Sequence, residues 1–218
     1  MPVNDGGSVM HVDFDGDYWE EHYDGRAAHG VRQPTAHLVA EVGDLAPGTA
    51  LDAGCGEGAD AVWLASRGWR VTAVDLAATA LRRGREHAEN LGADVADRID
   101  WVRADLTTWT PPGDGFDLVC SHYVHSTAST GTLVRRLAAS VAPNGTLLVV
   151  GHHPSDPHHP GQPPRAAEAQ VTAEEMAAGL GPDWDVLVAG TRTRSAAGGP
   201  HGHGGTSRDA VLRARRRP

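Results

Sequence analysis

The chain has 218 residues and a formal net charge of −9 at pH 7, with 19 basic residues against 28 acidic ones. This length suits a single domain with a substantial core. The negative charge argues against general binding of nucleic acid. All of the basic residues are arginine, so any site that requires a lysine is excluded.

Two cysteines do not make a disulfide framework, and no run approaches the ~18 apolar residues of a membrane-spanning helix. The N-terminus also lacks the apolar segment of a secretory signal. We therefore expect a soluble, cytoplasmic protein without a membrane partner.

The N-terminal segment, residues 1–44, is predicted to be a helical lid that precedes the main domain. Residues 17–25 and 34–43 are both typical of short helices. Pro34 suits the first turn of a helix, and Gly43 suits a helix end.

Residues 45–218 are predicted to form one α/β domain, because strand and helix signals alternate through its first hundred residues. Right-handed crossovers between parallel strands then place helices on both faces of a sheet. The predicted strands are 50–55, 70–76, 99–105, 116–124 and 146–151, and the predicted helices are 58–68, 77–92 and 131–145, the last ending in a Pro-Asn-Gly turn.

The C-terminal part follows a different pattern. Residues 151–171 are loop-like, and Thr172 with Glu175 has capping-box spacing, which predicts a short helix over 172–181. Residues 184–195 and 209–216 read as strands, with no room between them for a crossover helix. They are expected to form an antiparallel hairpin at the edge of the sheet.

The glycine-rich run LDAGCGEGAD, residues 51–60, raises the question of ligand class. A Walker loop requires a lysine on the phosphates, so it is excluded. Gly54, Gly56 and Ala59 match dinucleotide-loop spacing, but the Asp52 carboxylate would then face a pyrophosphate of like charge. A cationic ligand without phosphate, S-adenosylmethionine, fits Asp52 and the glycines Gly54, Gly56 and Gly58 better, because glycine lets the backbone approach a ligand closely.

Two further acids follow the second and third predicted strands. Asp75, followed by Leu76, can accept hydrogen bonds from both ribose hydroxyls, although NAD would use the same contact. Asp105 can accept from the adenine amino group, while Leu106 packs on the ring. The third acid favours S-adenosylmethionine as the cofactor.

The segments LDAGCGEGAD, VTAVDL, VRADL, FDLVCSHYVH and VAPNGTLLVV resemble class I S-adenosylmethionine-dependent methyltransferases, and more narrowly the small bacterial thiopurine and tellurite-resistance type. The resemblance implies a Rossmann-like, seven-stranded sheet, mostly parallel with the last strand antiparallel. It also implies that the YWEEHY helix closes over the cofactor through Trp19 and Tyr23. Cys55 and Ser121, which follow or end strands at the same edge, are assigned to the cofactor site.

Histidines are concentrated in the loops at one edge of the predicted sheet. His125 and His122 are expected nearest the reacting centre, where an imidazole can take a proton from a hydroxyl acceptor. No metal is predicted, because the remaining histidines lack zinc-ligand spacing. They are His152, His153, His158, His159, His201 and His203.

The predicted activity is in-line methyl transfer to a small molecule, either a soft sulfur, selenium, tellurium or halide nucleophile or a hydroxyl. A biosynthetic O-methyltransferase that uses His125 or His122 as its base is an alternative. A non-catalytic module that binds S-adenosylmethionine and an NAD-dependent oxidoreductase are alternatives of other classes. The acceptor and the oligomeric state are left open.

Overall fold

The computed structural model describes residues 15–25, 33–111, 113, 115–125, 128–156, 170–195 and 206–218. These residues form a seven-stranded sheet flanked by helices. The strands are β1 Thr49–Ala53, β2 Arg70–Asp75, β3 Ile99–Arg103, β4 Phe116–His122, β5 Val141–His152, β6 Trp184–Ser195 and β7 Thr206–Arg216. The helices are α1 Gly16–Asp24, α2 Ala36–Val42, α3 Ala59–Ser66, α4 Ala78–Leu91, α5 Ala93–Ala96, α6 Thr130–Ala139 and α7 Ala173–Ala177.

The strand order is β3-β2-β1-β4-β5-β7-β6. Strands β1 to β5 all run parallel to their neighbours among one another. Strand β7 is antiparallel to both of its neighbours, β5 and β6. The predicted fold class, a mostly parallel sheet with a reversed last strand, is confirmed. The reversal brings the N-terminal end of β7 to the edge where the parallel strands end.

The helix predicted over 131–145 is wrong beyond Ala139. There α6 ends, and β5 begins at Val141, opposite Phe116 of β4. The Pro-Asn-Gly sequence lies inside this strand, where Asn144 takes a φ of 66° and the register with β4 shifts. A turn signal in the sequence is therefore an irregularity within one long strand.

Smaller differences concern two short helices. The capping box at Thr172 and Glu175 is present as predicted, but α7 ends at Ala177 rather than at 181. The four-residue helix α5 was not predicted, and it lies between α4 and β3.

The apolar core divides between the two faces of the sheet. Leu133, Leu137 and Met176, from α6 and α7, pack on one face, and Leu38 and Leu64, from α2 and α3, pack on the other. Burial of such side chains is the main favourable contribution to folding. Because both faces are covered, the carboxyl ends of the parallel strands remain the place for a ligand.

Helix α1 lies against the first turn of α4. The Glu20 carboxylate accepts hydrogen bonds from the amides of Ala78 at 2.7 Å and Thr79 at 3.0 Å. Ala77, the N-cap residue of α4, offers no side-chain cap of its own, so Glu20 supplies the missing acceptor. This contact fixes α1 beside the cavity described below. None of the helices in the described part of the chain is long and apolar enough to cross a membrane.

Candidate cofactor and acceptor site

A cavity of about 780 Å³ lies among the loops that follow β1, β2, β3 and β4, with α1 on one side. It brings together all but one of the predicted site residues. Those that line it are Trp19, Tyr23, Asp52, Gly54, Cys55, Gly56, Gly58, Asp75, Leu76, Asp105, Leu106, His122 and His125. Gln33, Thr35, Asp60, Thr107 and Tyr123 also line it and were not predicted from the sequence.

Ser121 is the predicted residue that does not line the cavity. It lies in β4 and is buried. Neighbouring residues of a strand point to opposite faces, so Ser121 and His122 diverge. A strand end identifies the edge of a sheet, but the face must be read residue by residue.

The glycine loop after β1 has a conformation that other residues rarely adopt. Gly56 and Gly58 have φ angles of 54° and 74°. A Cβ on Gly58 would collide with the Trp101 ring, and a Cβ on Gly56 would lie 2.8 Å from the Tyr23 hydroxyl oxygen. The loop therefore needs glycine for its backbone and for the close approach of α1.

Asp75 organises this loop directly. Its Oδ2 accepts from the Gly56 amide at 2.8 Å, and its Oδ1 accepts from the Ala77 amide at 3.0 Å. Burial raises the pKa of Asp75, and these amide bonds oppose the rise. The carboxylate thus joins the end of β2 to the loop after β1, in addition to any contact with a ligand.

Asp52 is the most isolated carboxylate of the cavity. Its Oδ2 has no hydrogen-bond partner among the described residues, its Oδ1 has a long contact of 3.9 Å with Cys120 Sγ, and the Ala61 amide donates to the carboxyl group. Burial, and then the nearby charges of Asp60 and Asp75, raise the pKa of Asp52 well above its usual value. A buried carboxylate is costly without a partner, so this position fits a cationic group of a ligand.

Asp105 fixes the turn after β3. Its Oδ1 accepts from both the amide and the hydroxyl of Thr107, each at 2.7 Å. Leu106 packs against the core cluster that includes α6. The turn therefore holds both predicted adenine contacts at the cavity wall.

His122 is held by a residue that the sequence analysis missed. Its Nδ1 lies 2.8 Å from Asp60 Oδ2, and its side chain is only 5% exposed. Asp60 also accepts from the amide and hydroxyl of Thr35, at 2.6 and 2.8 Å. Burial alone would raise the pKa of Asp60, but the bonds from His122 and Thr35 outweigh it and hold the pKa below its usual value. His122 therefore links β4 to α3 and the segment before α2.

His125 has a different environment. Its ring centroid lies 6.1 Å from that of Trp19 in α1 and 6.2 Å from that of His152 in β5. Burial, and then the proximity of His152 and His22, lowers the pKa of His125. The ring is therefore neutral near pH 7, which is the form that accepts a proton.

Cys55 and Cys120 are free cysteines near Asp52. Burial, and then the Asp52 charge, raises the pKa of both thiols well above the usual value. They are therefore protonated rather than nucleophilic at neutral pH. Asp52, Cys120 and His122 have side-chain atoms of the kinds that bind metals, and these atoms lie within 4.8 Å of one another. However, His122 Nδ1 already faces Asp60.

Four histidines of the predicted rim, His158, His159, His201 and His203, lie outside the described residues. His153 is described, and its Nδ1 lies 2.8 Å from the Ser155 hydroxyl. The His152 ring lies beside that of His125, with their centroids 6.2 Å apart, but His152 does not line the cavity.

Comparisons with known proteins match part of this chain to methyltransferases. Residues 50–145 match the methyltransferase domain family. An uncharacterized methyltransferase of Mycobacterium tuberculosis is 43% identical over 101 residues, which is 46% of this chain and 48% of that protein. The chain thus spans about half the length of the curated relatives it matches.

Solved structures share the fold across nearly the whole chain. One of them comes from work on the conversion of a disulfide bond into a thioacetal group during echinomycin biosynthesis. It has a TM-score of 0.71 at 20% identity, and the match covers 93% of this chain and 91% of that chain. TehB from Haemophilus influenzae has a TM-score of 0.66 at 17% identity, and the match covers 91% of this chain and 67% of TehB. The sequence of residues 50–145 therefore resembles a methyltransferase domain, and the chain shares its fold with solved S-adenosylmethionine-dependent methyltransferases.

Proposed function

We propose that this protein transfers a methyl group from S-adenosylmethionine to a small-molecule acceptor. The observation that carries the proposal is the buried Asp52 carboxylate, whose Oδ2 has no partner among the described residues and which lines the cavity beside the glycine loop. The cofactor carries an ammonium group that would satisfy this oxygen. It supplies, when bound, a methyl group activated by its attachment to a cationic sulfur.

The chain's own residues bind and orient that cofactor. Asp52 accepts from the ammonium, Asp75 from the ribose hydroxyls, and Asp105 with Leu106 contacts the adenine. Trp19 and Tyr23 of α1 cover the site and exclude water, which favours transfer to an aligned nucleophile. We assign His122 a positioning role, because it is already engaged with Asp60.

The size of the cavity supports a small acceptor. About 780 Å³ must hold both cofactor and acceptor, and cavities for a single small ligand already range from about 300 to 1,000 Å³. The net charge of −9 supports an acceptor other than nucleic acid. The two free cysteines support a location in the reducing cytoplasm.

The first test measures binding of S-adenosylhomocysteine by calorimetry. Asp52→Asn removes the charge that would face the ammonium, so we expect affinity to fall by about 1.5–3 kcal/mol, or roughly ten- to 150-fold. Asp117→Asn is the matched control, because Asp117 holds Thr49 at the entry to β1, away from the cavity. Binding of NADH instead, or equal affinity in the Asp52 variant and the wild type, would contradict the proposal.

A second candidate is narrower, namely that the acceptor is a thiol or hydroxyl whose proton is taken by His125. The lowered pKa of His125 and its place in the cavity wall favour this alternative. Iodide needs no base, so His125→Ala should reduce methylation of phenols or aliphatic thiols by about 100-fold and spare iodide. Equal loss with both kinds of acceptor would show that His125 has a structural role.

A further inference from the structure

A buried carboxylate, Asp209, lies behind the part of the cavity wall formed by Tyr123 and His125, which we call the acceptor side. It is in β7 and has no exposed surface. The antiparallel register of β5 and β7 sets Asp209 opposite His152, the last residue of β5. The reversed strand therefore brings an acid from near the C-terminus of the chain to the edge of the sheet where the parallel strands end.

Asp209 is surrounded by side chains from three other segments. Its Oδ2 lies 2.9 Å from the Tyr123 hydroxyl and 2.9 Å from His37 Nε2 of α2. Its Oδ1 lies 4.0 Å from His152 Nδ1. A carboxylate at this depth is maintained by such donors.

The same side chains lead to the cavity wall. The Tyr123 ring lies 4.7 Å from the His152 ring, and the His152 ring lies 6.2 Å from that of His125, between ring centroids. Tyr123 has a φ of 55°, an uncommon value for a bulky residue, and its amide donates to Val150 at 2.8 Å. A strained residue held by a buried acid indicates a functional constraint on this loop.

Other charged groups near this cluster have partners of their own. Glu41, one turn after His37 in α2, pairs with Arg192 at 2.8 Å and with Arg213 at 3.7 Å. On the opposite side of His125, α1 contributes His22, whose proximity lowers the pKa of His125. Within the described part of the chain, Asp209 is an acid paired with the His152 ring, at 4.0 Å.

We propose that Asp209 is a positioning residue on the acceptor side. It holds Tyr123 and His152 beside His125, so that the imidazoles of His125 and His152 can take up a proton from a thiol or hydroxyl acceptor. This inference rests on the proposed function. The X–H bond of the acceptor breaks, and its proton goes to His125. An electron pair on X forms the new bond to the methyl carbon. The electron pair of the bond between methyl and cofactor sulfur stays on that sulfur. The positive charge thus moves from the cofactor sulfur to His125, whose neighbour His152 lies between it and Asp209.

The decisive experiment is a titration of the histidine rings by NMR in the full chain with S-adenosylhomocysteine bound. Asp209→Asn keeps an oxygen that accepts from Tyr123 and His37 but removes the negative charge. The midpoint of the His152 ring should fall by about one pH unit. His37→Gln is the matched control, because it removes another partner of Asp209 and should leave the His152 midpoint unchanged.

Turnover gives a second readout. Asp209→Asn should slow methylation of phenol or an aliphatic thiol about tenfold, shift the acid limb of kcat to lower pH, and leave methylation of iodide unchanged. An unchanged His152 midpoint, or equal loss with both kinds of acceptor, would overturn the positioning role. Absence of S-adenosylhomocysteine binding would instead contradict the proposed function, and if no acceptor is methylated the titration alone decides the role of Asp209.

Discussion

The two sides of the cavity are built in different ways. On the cofactor side, three acids between residues 52 and 105 lie at successive strand ends, and two of them accept bonds from nearby backbone amides. On the side proposed for the acceptor, His125, His152 and Asp209 come from distant parts of the chain and meet through strand register. The first side is a local property of the loops, whereas the second exists only in the complete sheet.

The largest effect that separates the two sides is expected at Asp75. Asp75→Ala loses two bonds to loop amides as well as the proposed ribose contact, so we expect S-adenosylhomocysteine affinity to fall by about 3 kcal/mol, or more than 100-fold. Calorimetry on the purified variant measures this directly. The cluster of Tyr123, His152 and Asp209 should change little in stability, because neither of the two lost hydrogen bonds involves it.

Asp100→Ala is the control for that experiment, because Asp100 is an exposed acid in β3 and does not line the cavity. It should bind S-adenosylhomocysteine as the wild type does. If Asp75→Ala bound the ligand with wild-type affinity, the ribose assignment would be wrong, and the carboxylate would serve only to shape the loop.

The residues assigned to the cofactor could be grouped from the sequence because their determinants are short and contiguous. The glycine spacing, Asp52, Asp75 and Asp105 each follow a β-rich run directly, and parallel strands end at one edge of a sheet. Those residues do line one cavity. Ser121 shows the limit, since one step along a strand reverses the face.

The acceptor side could not be predicted in the same way. Asp209 occurs in an ordinary strand pattern, and its position depends on which residue of β5 it faces, a property fixed by the register of two strands about 60 residues apart in the chain. His37 and Asp60 are further examples, since each is paired across more than 60 residues of chain. The sequence placed His125 and His122 at this edge of the sheet, but it did not indicate their partners.

Helix α1 joins the two sides, and Glu20 is the residue that tests this connection. Glu20→Ala leaves the first turn of α4 without its cap, so closure should weaken by about 1 kcal/mol and S-adenosylhomocysteine affinity should fall about fivefold. Trp19 fluorescence would report the looser helix. Hydrogen bonds from Thr79 lower the pKa of Glu20, so the cap should persist under mildly acidic conditions.

Glu21→Ala is the matched control for Glu20→Ala, because Glu21 is its exposed neighbour in the same helix and does not line the cavity. It should leave affinity and fluorescence unchanged. An equal loss in both variants would mean that helix content, rather than the contact with α4, controls closure.

The smallest expected effect is a pH dependence that belongs to the cofactor side alone. The pKa of Asp52 is raised in the folded protein, so its contribution to stability is present below the ordinary aspartate value of about 3.9 and is lost as pH rises through the raised value. Binding of S-adenosylhomocysteine needs the ionised form, so affinity should increase over that same window. Calorimetry over the pH range in which the protein stays folded should show affinity rising by about a few-fold with increasing pH. In Asp52→Asn, the pH dependence of stability and that of affinity should both vanish. A wild-type affinity that does not change with pH would mean that the ammonium group is bound elsewhere in the cavity.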